Sequence, residues 1–201
     1  MSDITTNQLD AEMVTKAYAR WAPVYDLVFG AVFDKGRQAA IAAAERIGGR
    51  ILEVGVDISL PMLRKARERV ATHELDNVEA LAVMDASGLG LPSASFDAVV
   101  AQYVITAVPH PEATLDEFAR VLRPGGEIIL VNHLGAETGL RATFESGFAP
   151  LARRLGWRPE FRWERLARWA ESHGGVDVIE RRPMPPLGHF SLIRFRRNAA
   201  A

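Results

Sequence analysis

The sequence predicts an α/β fold: a doubly wound, mostly parallel sheet, preceded by helices and closed by an antiparallel strand. Three observations predict it. The apolar runs Ile51 to Val56, Val78 to Met84 and Phe96 to Tyr103 are continuous rather than alternating, as in strands covered on both faces. Helical stretches, Pro61 to Val70 and Glu112 to Leu122, alternate with them. A Pro124-Gly125-Gly126 turn then leads straight into a further run, Glu127 to Val131.

Taken in order, Leu9 to Ala44 is helical in pattern, with breaks at Pro23 and Gly30, and Ala39 to Ala44 is rich in the strongest helix former. Gly48 and Gly49 end this region, and Ile51 to Val56 reads as a buried strand with one acid inside it. Pro61 suits the first turn of the next helix, on which Met62, Leu63, Ala66 and Val70 share a face. Beyond Val131 the composition changes. Residues 140–170 hold seven Arg and three Glu among Phe144, Phe148, Trp157, Phe161, Trp163 and Trp169. Val176 to Glu180 and His189 to Phe195 then read as closing strands joined through a Pro-rich turn. One domain spanning residues 1–201 is expected.

Composition narrows the function classes. With 201 residues and 48% hydrophobic side chains the chain can bury a sizeable core. Lys plus Arg number 24 against 25 Asp plus Glu, so global charge gives no reason to expect nucleic-acid binding. The chain has no cysteine, which excludes disulfides, cysteine metal sites and thiol nucleophiles and fits a reducing cytoplasm. The acidic, polar start MSDITTNQLD lacks the plan of a signal peptide, and no apolar run reaches the roughly 18 residues of a spanning helix. The protein is therefore expected to lie on a membrane rather than cross it. His73, His110, His133, His173 and His189 are scattered without ligand spacing, so no metal is expected.

Five motifs carry chemistry. ILEVG at 51–55 places an acid and a glycine at the end of a first strand, where wound sheets bind their ligands. VDIS follows with Asp57, and Asp85-Ala86 stands after the 78–84 run. SFDAVVAQYVI at 95–105 and LRPGGEIILV at 122–131 complete the series. In this order the motifs resemble the class I, S-adenosylmethionine-dependent methyltransferases, a Rossmann-like family, over residues 51–131. The block YARWAPVYDLVFG, Tyr18 to Gly30, resembles the segment by which phospholipid N-methyltransferases and quinone-ring C-methyltransferases cover the cofactor. VNHLGAETG, Val131 to Gly139, is similar to the phospholipid enzymes, and the nearest resemblance is to the bacterial enzymes acting on phosphatidylethanolamine.

That resemblance implies a set of roles. S-adenosylmethionine is the expected cofactor, held by Tyr18, Glu53, Gly55, Asp57, Ile58, Asp85, Ala86 and Gln102, with Asp57 on the ribose hydroxyls and Asp85-Ala86 on the adenine edge. Trp21, Tyr103, Arg153 and Arg154 are expected to bind substrate, and Tyr25 and His133 to act at the amine. Residues 1–30 would form helices covering substrate or membrane, and the expected partners are a phospholipid and an anionic membrane surface. Two further readings stand beside this one: a methyltransferase for a quinone or another small molecule, and a membrane-binding protein that has lost catalysis.

The sequence departs from the family at Gly55. A Gly-rich loop, a helix and a second strand normally separate that glycine from the ribose acid, yet Asp57 follows Gly55 after one residue. A crossover between parallel strands needs a dozen or more residues, so Gly55 and Asp57 cannot end two different strands. Either a segment is missing from the sequence as it stands, or a deletion has removed loop, helix and strand. LEVG before and GVDIS after are the flanks that joining across a repeated Val-Gly-Val leaves.

Overall fold

A computed structural model describes residues 33–55, 60–134, 161–185, 188 and 190–199. Its elements are helix α1 (33–47), strand β1 (Ile51–Val54), helix α2 (Leu60–Thr72), strand β2 (Phe96–Gln102), helix α3 (Pro111–Val121), strand β3 (Leu122–His133), helix α4 (Trp163–His173), and strands β4 (Val176–Met184) and β5 (Phe190–Arg197). The five strands form one sheet in the order β1-β2-β3-β5-β4. β1, β2 and β3 pair in parallel, while β5 runs antiparallel to both β3 and β4, so four strands share one direction and β5 opposes them. This is the predicted class, a wound sheet closed by an antiparallel strand.

The continuous apolar runs are divided by the strand period of two. On one face Val99, Ala101, Ile128, Leu130, Ile193 and Phe195 pack with Leu115 and Phe118 of α3 and Leu166 and Trp169 of α4. On the other, Ala98, Val100, Ile129, Val131 and Leu192 meet Ala40, Ala43 and Ala44 of α1. Small alanines allow α1 a close approach. Gly36 allows more: a Cβ there would lie 2.6 Å from the Tyr103 hydroxyl and 2.8 Å from Val131. α4 docks on α3 through Trp169 Nε1, which donates to Asp116 at 2.7 Å, and through an Arg165–Glu112 ion pair.

The Pro-Gly-Gly turn is absorbed into the start of β3. Phe96 pairs with Leu122 and Ala98 with Glu127, so residues 123–126 bulge from the ladder. Gly125 takes φ +82°, and a Cβ on Gly126 would lie 2.8 Å from the Asp97 carbonyl. Glu127 behind the bulge is buried, and its carboxylate accepts from Arg194 at 2.6 Å and Arg196 at 2.9 Å. The acid inside the last apolar run is thus a cross-strand anchor.

One expected element is absent. Residues 78–84 form no strand, and Leu81 and Val83 stay 39% and 41% exposed. A parallel strand needs a neighbour to take its backbone hydrogen bonds, and among the described residues no strand pairs with this run. Asp85-Ala86 therefore follows a segment without regular structure, not a strand. The closing strands run longer than expected, to Met184 and Arg197, because they pair with each other along almost their whole length. Expectations for residues 1–30, for Asp57 and Ile58, and for Arg153 and Arg154 fall outside the described residues.

Candidate active site

The parallel register brings the carboxyl ends of β1, β2 and β3 to one edge. Val54 pairs with Ala101, and Gln102 with Val131, so Glu53, Gln102 and His133 end neighbouring strands. Gln102 Nε2 donates to Glu53 Oε1 at 3.3 Å, while Gln102 Oε1 is buried with no partner. A buried carbonyl left unpaired beside a carboxylate calls for a donor from outside. Among the described residues nothing lies within 4 Å of the position a Gly55 Cβ would take. Asp85 is exposed. Its Oδ1 accepts from the Ser87 amide at 2.8 Å and the Ser87 hydroxyl at 2.7 Å, and these bonds hold its carboxyl below the usual range. Ala86 packs against the core behind it.

Beside this acceptor-rich corner stands an aromatic one. Tyr103 follows β2 with φ +63°, a left-handed conformation costly for a ring residue. Two bonds enforce it: the Tyr103 amide donates to Val131 O at 2.7 Å, and the hydroxyl donates to Phe33 O at 3.1 Å. The ring lies 4.4 Å from Phe33 and 5.6 Å from Phe190, and Phe190 meets the His133 ring edge-on at 6.1 Å. Burial pushes the Tyr103 hydroxyl up to about 12, so it stays a phenol at neutral pH. The Arg37 guanidinium already lies 6.0 Å from the Phe33 ring centre, showing that this cluster accepts a cation.

Of the residues expected from sequence, Glu53, Gln102, Tyr103 and His133 are assembled at one edge. Sequence reading missed Phe33, Phe190 and Asn132. Phe190 faces His133 across the β3–β5 ladder, a pairing of distant residues that sequence spacing cannot reveal. Asn132 is buried, donates to Thr106 Oγ1 at 3.1 Å, and leaves its Oδ1 without a partner. Its place between Val131 and His133 in the quoted motif was the available signal. Among the described residues no group of acids and histidines is placed to hold a metal ion.

Comparison with known proteins gives the family and the fold. A methyltransferase domain model matches residues 35–130. Phosphatidylethanolamine N-methyltransferase of Cereibacter sphaeroides is 37% identical over 208 aligned positions, covering 94% of this chain and 100% of that protein. Because 94% of 201 residues is about 189, about 19 of those 208 positions hold no residue of this chain. A demethylmenaquinone methyltransferase of Listeria monocytogenes is 38% identical, but over 46% of this chain and 39% of its own. In fold, an S-adenosylmethionine-dependent methyltransferase from Thermotoga maritima superposes with a TM-score of 0.59 at 20% identity, over 91% of this chain and 99% of that one. Another from Aquifex aeolicus gives 0.59 at 15%, over 89% and 96%.

The methyl donor of these enzymes carries an ammonium group, ribose hydroxyls and an exocyclic amine, all hydrogen-bond donors. Glu53, the unpaired Gln102 Oε1 and the outer oxygen of Asp85 are acceptors, so the residues present fit it. With S-adenosylmethionine as its cofactor, the chain belongs to the phosphatidylethanolamine N-methyltransferase family of class I methyltransferases.

Proposed function

We propose that this protein transfers methyl groups from S-adenosylmethionine to the amine of phosphatidylethanolamine and its partly methylated forms, working at a membrane surface. The observation that carries this reading is the likeness to the Cereibacter sphaeroides enzyme along the length of both chains. The likeness to the quinone enzymes, by contrast, stops short of half the chain.

The cofactor supplies an electrophilic methyl group on a sulfonium, and the protein's work is to align, desolvate and deprotonate the acceptor. Glu53, Gln102 and Asp85 serve as hydrogen-bond acceptors on the cofactor side. Tyr103, Phe33 and Phe190 offer ring faces, worth about 0.5–2 kcal/mol each to a methylated ammonium. An alkyl amine with a reference pKa of about 10.4 is mostly protonated at neutral pH. An apolar, aromatic pocket lowers that value by disfavouring charge, and an acceptor must then take the proton. His133, next to Phe190, and Tyr25 fill that role in this reading, whereas the Tyr103 hydroxyl, with its donor on Phe33 O, does not. The purified protein with labelled donor and phosphatidylethanolamine vesicles should release mono-, di- and trimethylated lipid. Label appearing only on a quinone precursor would reject the substrate assignment. His133→Ala and Tyr25→Phe should lower turnover more than they lower affinity for S-adenosylhomocysteine.

No described helix is long and apolar enough to cross a membrane. A two-chain lipid does not readily leave the bilayer, so the enzyme must come to it. Arg153 and Arg154, with residues 1–30, would meet the anionic surface, each arginine contributing about 1 kcal/mol. Flotation with liposomes should rise with anionic lipid and fall with salt, and replacing both arginines by alanine should weaken it. A protein indifferent to anionic liposomes would instead point to a water-soluble amine.

A further inference from the structure

One cation beside the aromatic corner lacks a counterion. Arg120, Arg123, Arg165 and Arg194 each pair with a carboxylate, whereas among the described residues no acid is paired with Arg37. Asp34, three positions before it, accepts instead from Gln38 Nε2 at 2.8 Å. Arg37 is exposed and follows Phe33 by four positions on α1, so the two share one side of the helix. Its guanidinium reaches back to 6.0 Å from the Phe33 ring centre. Gly36 fixes this placement: a Cβ there would lie 2.6 Å from the Tyr103 hydroxyl, so the glycine lets this turn of α1 come down on the ring. Burial raises the Tyr103 hydroxyl to about 12, and the Arg37 charge opposes that rise, which puts the guanidinium within electrostatic reach of the phenol.

These surroundings suit a ligand of two parts. Phe33, Tyr103 and Phe190 stand 4.4 to 5.6 Å apart, ring centre to ring centre, and offer faces to a methylated ammonium. A guanidinium without an acid at their margin offers a planar fork of N–H donors, which suits a phosphate. Two carbons and an oxygen separate the amine nitrogen of an ethanolamine headgroup from its phosphorus, about 5 Å when extended. A headgroup of that length can keep its phosphate on Arg37 while its amine lies against the rings.

We infer that Arg37 binds the phosphodiester of the lipid headgroup and thereby selects amines that carry a phosphate over bare ones. The inference deepens the lipid reading above and rests on it for the identity of the ligand. Selection has two parts. The phosphate gains charge-assisted hydrogen bonds from the guanidinium. A bare ammonium, by contrast, meets an unneutralised cation beside the rings and is repelled. Bound phosphate removes that repulsion, so the same arginine attracts one class of amine and discourages the other. His133 meets the ring cluster at Phe190 and Arg37 meets it at Phe33, so the proton acceptor and the phosphate anchor stand on different rings.

Calorimetry with soluble probes tests this: dihexanoyl phosphatidylcholine below its micelle concentration, hexyltrimethylammonium, and inorganic phosphate. The native protein should bind the short-chain lipid most tightly. Arg37→Ala should weaken that binding roughly tenfold or more, the loss expected for hydrogen bonds to a charged group. Hexyltrimethylammonium should bind this variant as before or up to about fivefold tighter, because exposed like charges repel weakly. Arg37→Lys, which keeps the charge without the fork, should fall between for the lipid and match the native protein for the bare cation. Both variants should keep native S-adenosylhomocysteine affinity, since Arg37 lies outside the cofactor corner. Equal weakening of lipid and bare cation, or a matching loss of S-adenosylhomocysteine, would make Arg37 a packing residue of α1 and overturn the inference. Lipid binding indifferent to Arg37→Ala would overturn it as well. Inorganic phosphate bound as tightly as the short-chain lipid would overturn it in favour of a free-anion site. A native protein that methylates no phosphatidylethanolamine yet binds the short-chain lipid through Arg37 would fail the substrate reading and leave the phosphate site standing.

Discussion

Strands β3 and β5 carry Ile128, Ile129, Leu130, Val131, Ile193 and Phe195 with no measurable exposure, whereas β1 holds no buried residue and leaves Ile51 41% exposed. The helices differ in the same way. α3 buries six of its eleven residues against the sheet, while the described side chains of α2 are all partly or fully exposed. Both ends follow the same strand–helix grammar, so the contrast is not one of propensity. It shows that a strand or helix in a wound sheet is buried only as far as its neighbours cover it, and among the described residues β1 and α2 are covered less than β3 and α3. The cofactor corner lies on the weak side of this divide and the aromatic corner on the strong side.

The contrast breaks most visibly if the strong side is emptied. Phe118, fully buried between α3 and the sheet, should cost about 3–5 kcal/mol on Phe118→Ala, read from denaturant midpoints. A loss below about 1 kcal/mol would mean that the closed half does not hold the fold. Gly36→Ala should come next, at about 1–3 kcal/mol, because a Cβ 2.6 Å from the Tyr103 hydroxyl must displace the ring or α1. It should also cut turnover while leaving S-adenosylhomocysteine affinity near normal.

On the open side the expected effects shift from stability to binding. Glu53→Gln removes a charged acceptor at an exposed edge, and calorimetry should show about tenfold weaker S-adenosylhomocysteine binding, roughly 1.4 kcal/mol, at an unchanged melting temperature. Acid sharpens the boundary itself. Asp97 is bonded to Arg123 at the start of β3 and to the Arg50 amide before β1, and the Arg123 bond first, then the Arg50 amide, holds its carboxyl below 3.8. A depressed folded value means that this contribution is whole above about pH 4 and is lost as pH falls through the lowered value. Protection of β1 amides, taken relative to their intrinsic exchange rate at each pH, should therefore fall at pH 3 before that of β3 amides, and Asp97→Asn should remove the difference in protection between pH 5 and pH 3. Ile51→Thr should do least, within about 0.5 kcal/mol, since it alters a side chain already facing water.

Much of the site was legible because its residues sit at strand ends. The ends of the continuous apolar runs at Val56, Tyr103 and Val131 mark the edge where a parallel sheet binds its ligand, and the shared register brings the strand ends together. Phe33 and Phe190 were not legible. Neither follows a motif, and their meeting with Tyr103 depends on α1 crossing the sheet and on β5 lying antiparallel beside β3. Val78 to Met84 misled for the opposite reason: its composition suits a strand, but pairing requires a partner that local composition cannot supply.

The sequence by itself determined the class of fold, the order of β2, α3 and β3, the family, and the defect at Gly55, because each is written in local periodicity or in contiguous motifs. Only the tertiary structure decided that β1 ends the described sheet, that buried Glu127 anchors Arg194 and Arg196, and that burial keeps the Tyr103 hydroxyl a phenol bonded to Phe33 O. These depend on burial and on partners far along the chain. A side chain's neighbours set its ionisation and its exposure, and neighbours are chosen by the sheet order, which no single segment encodes.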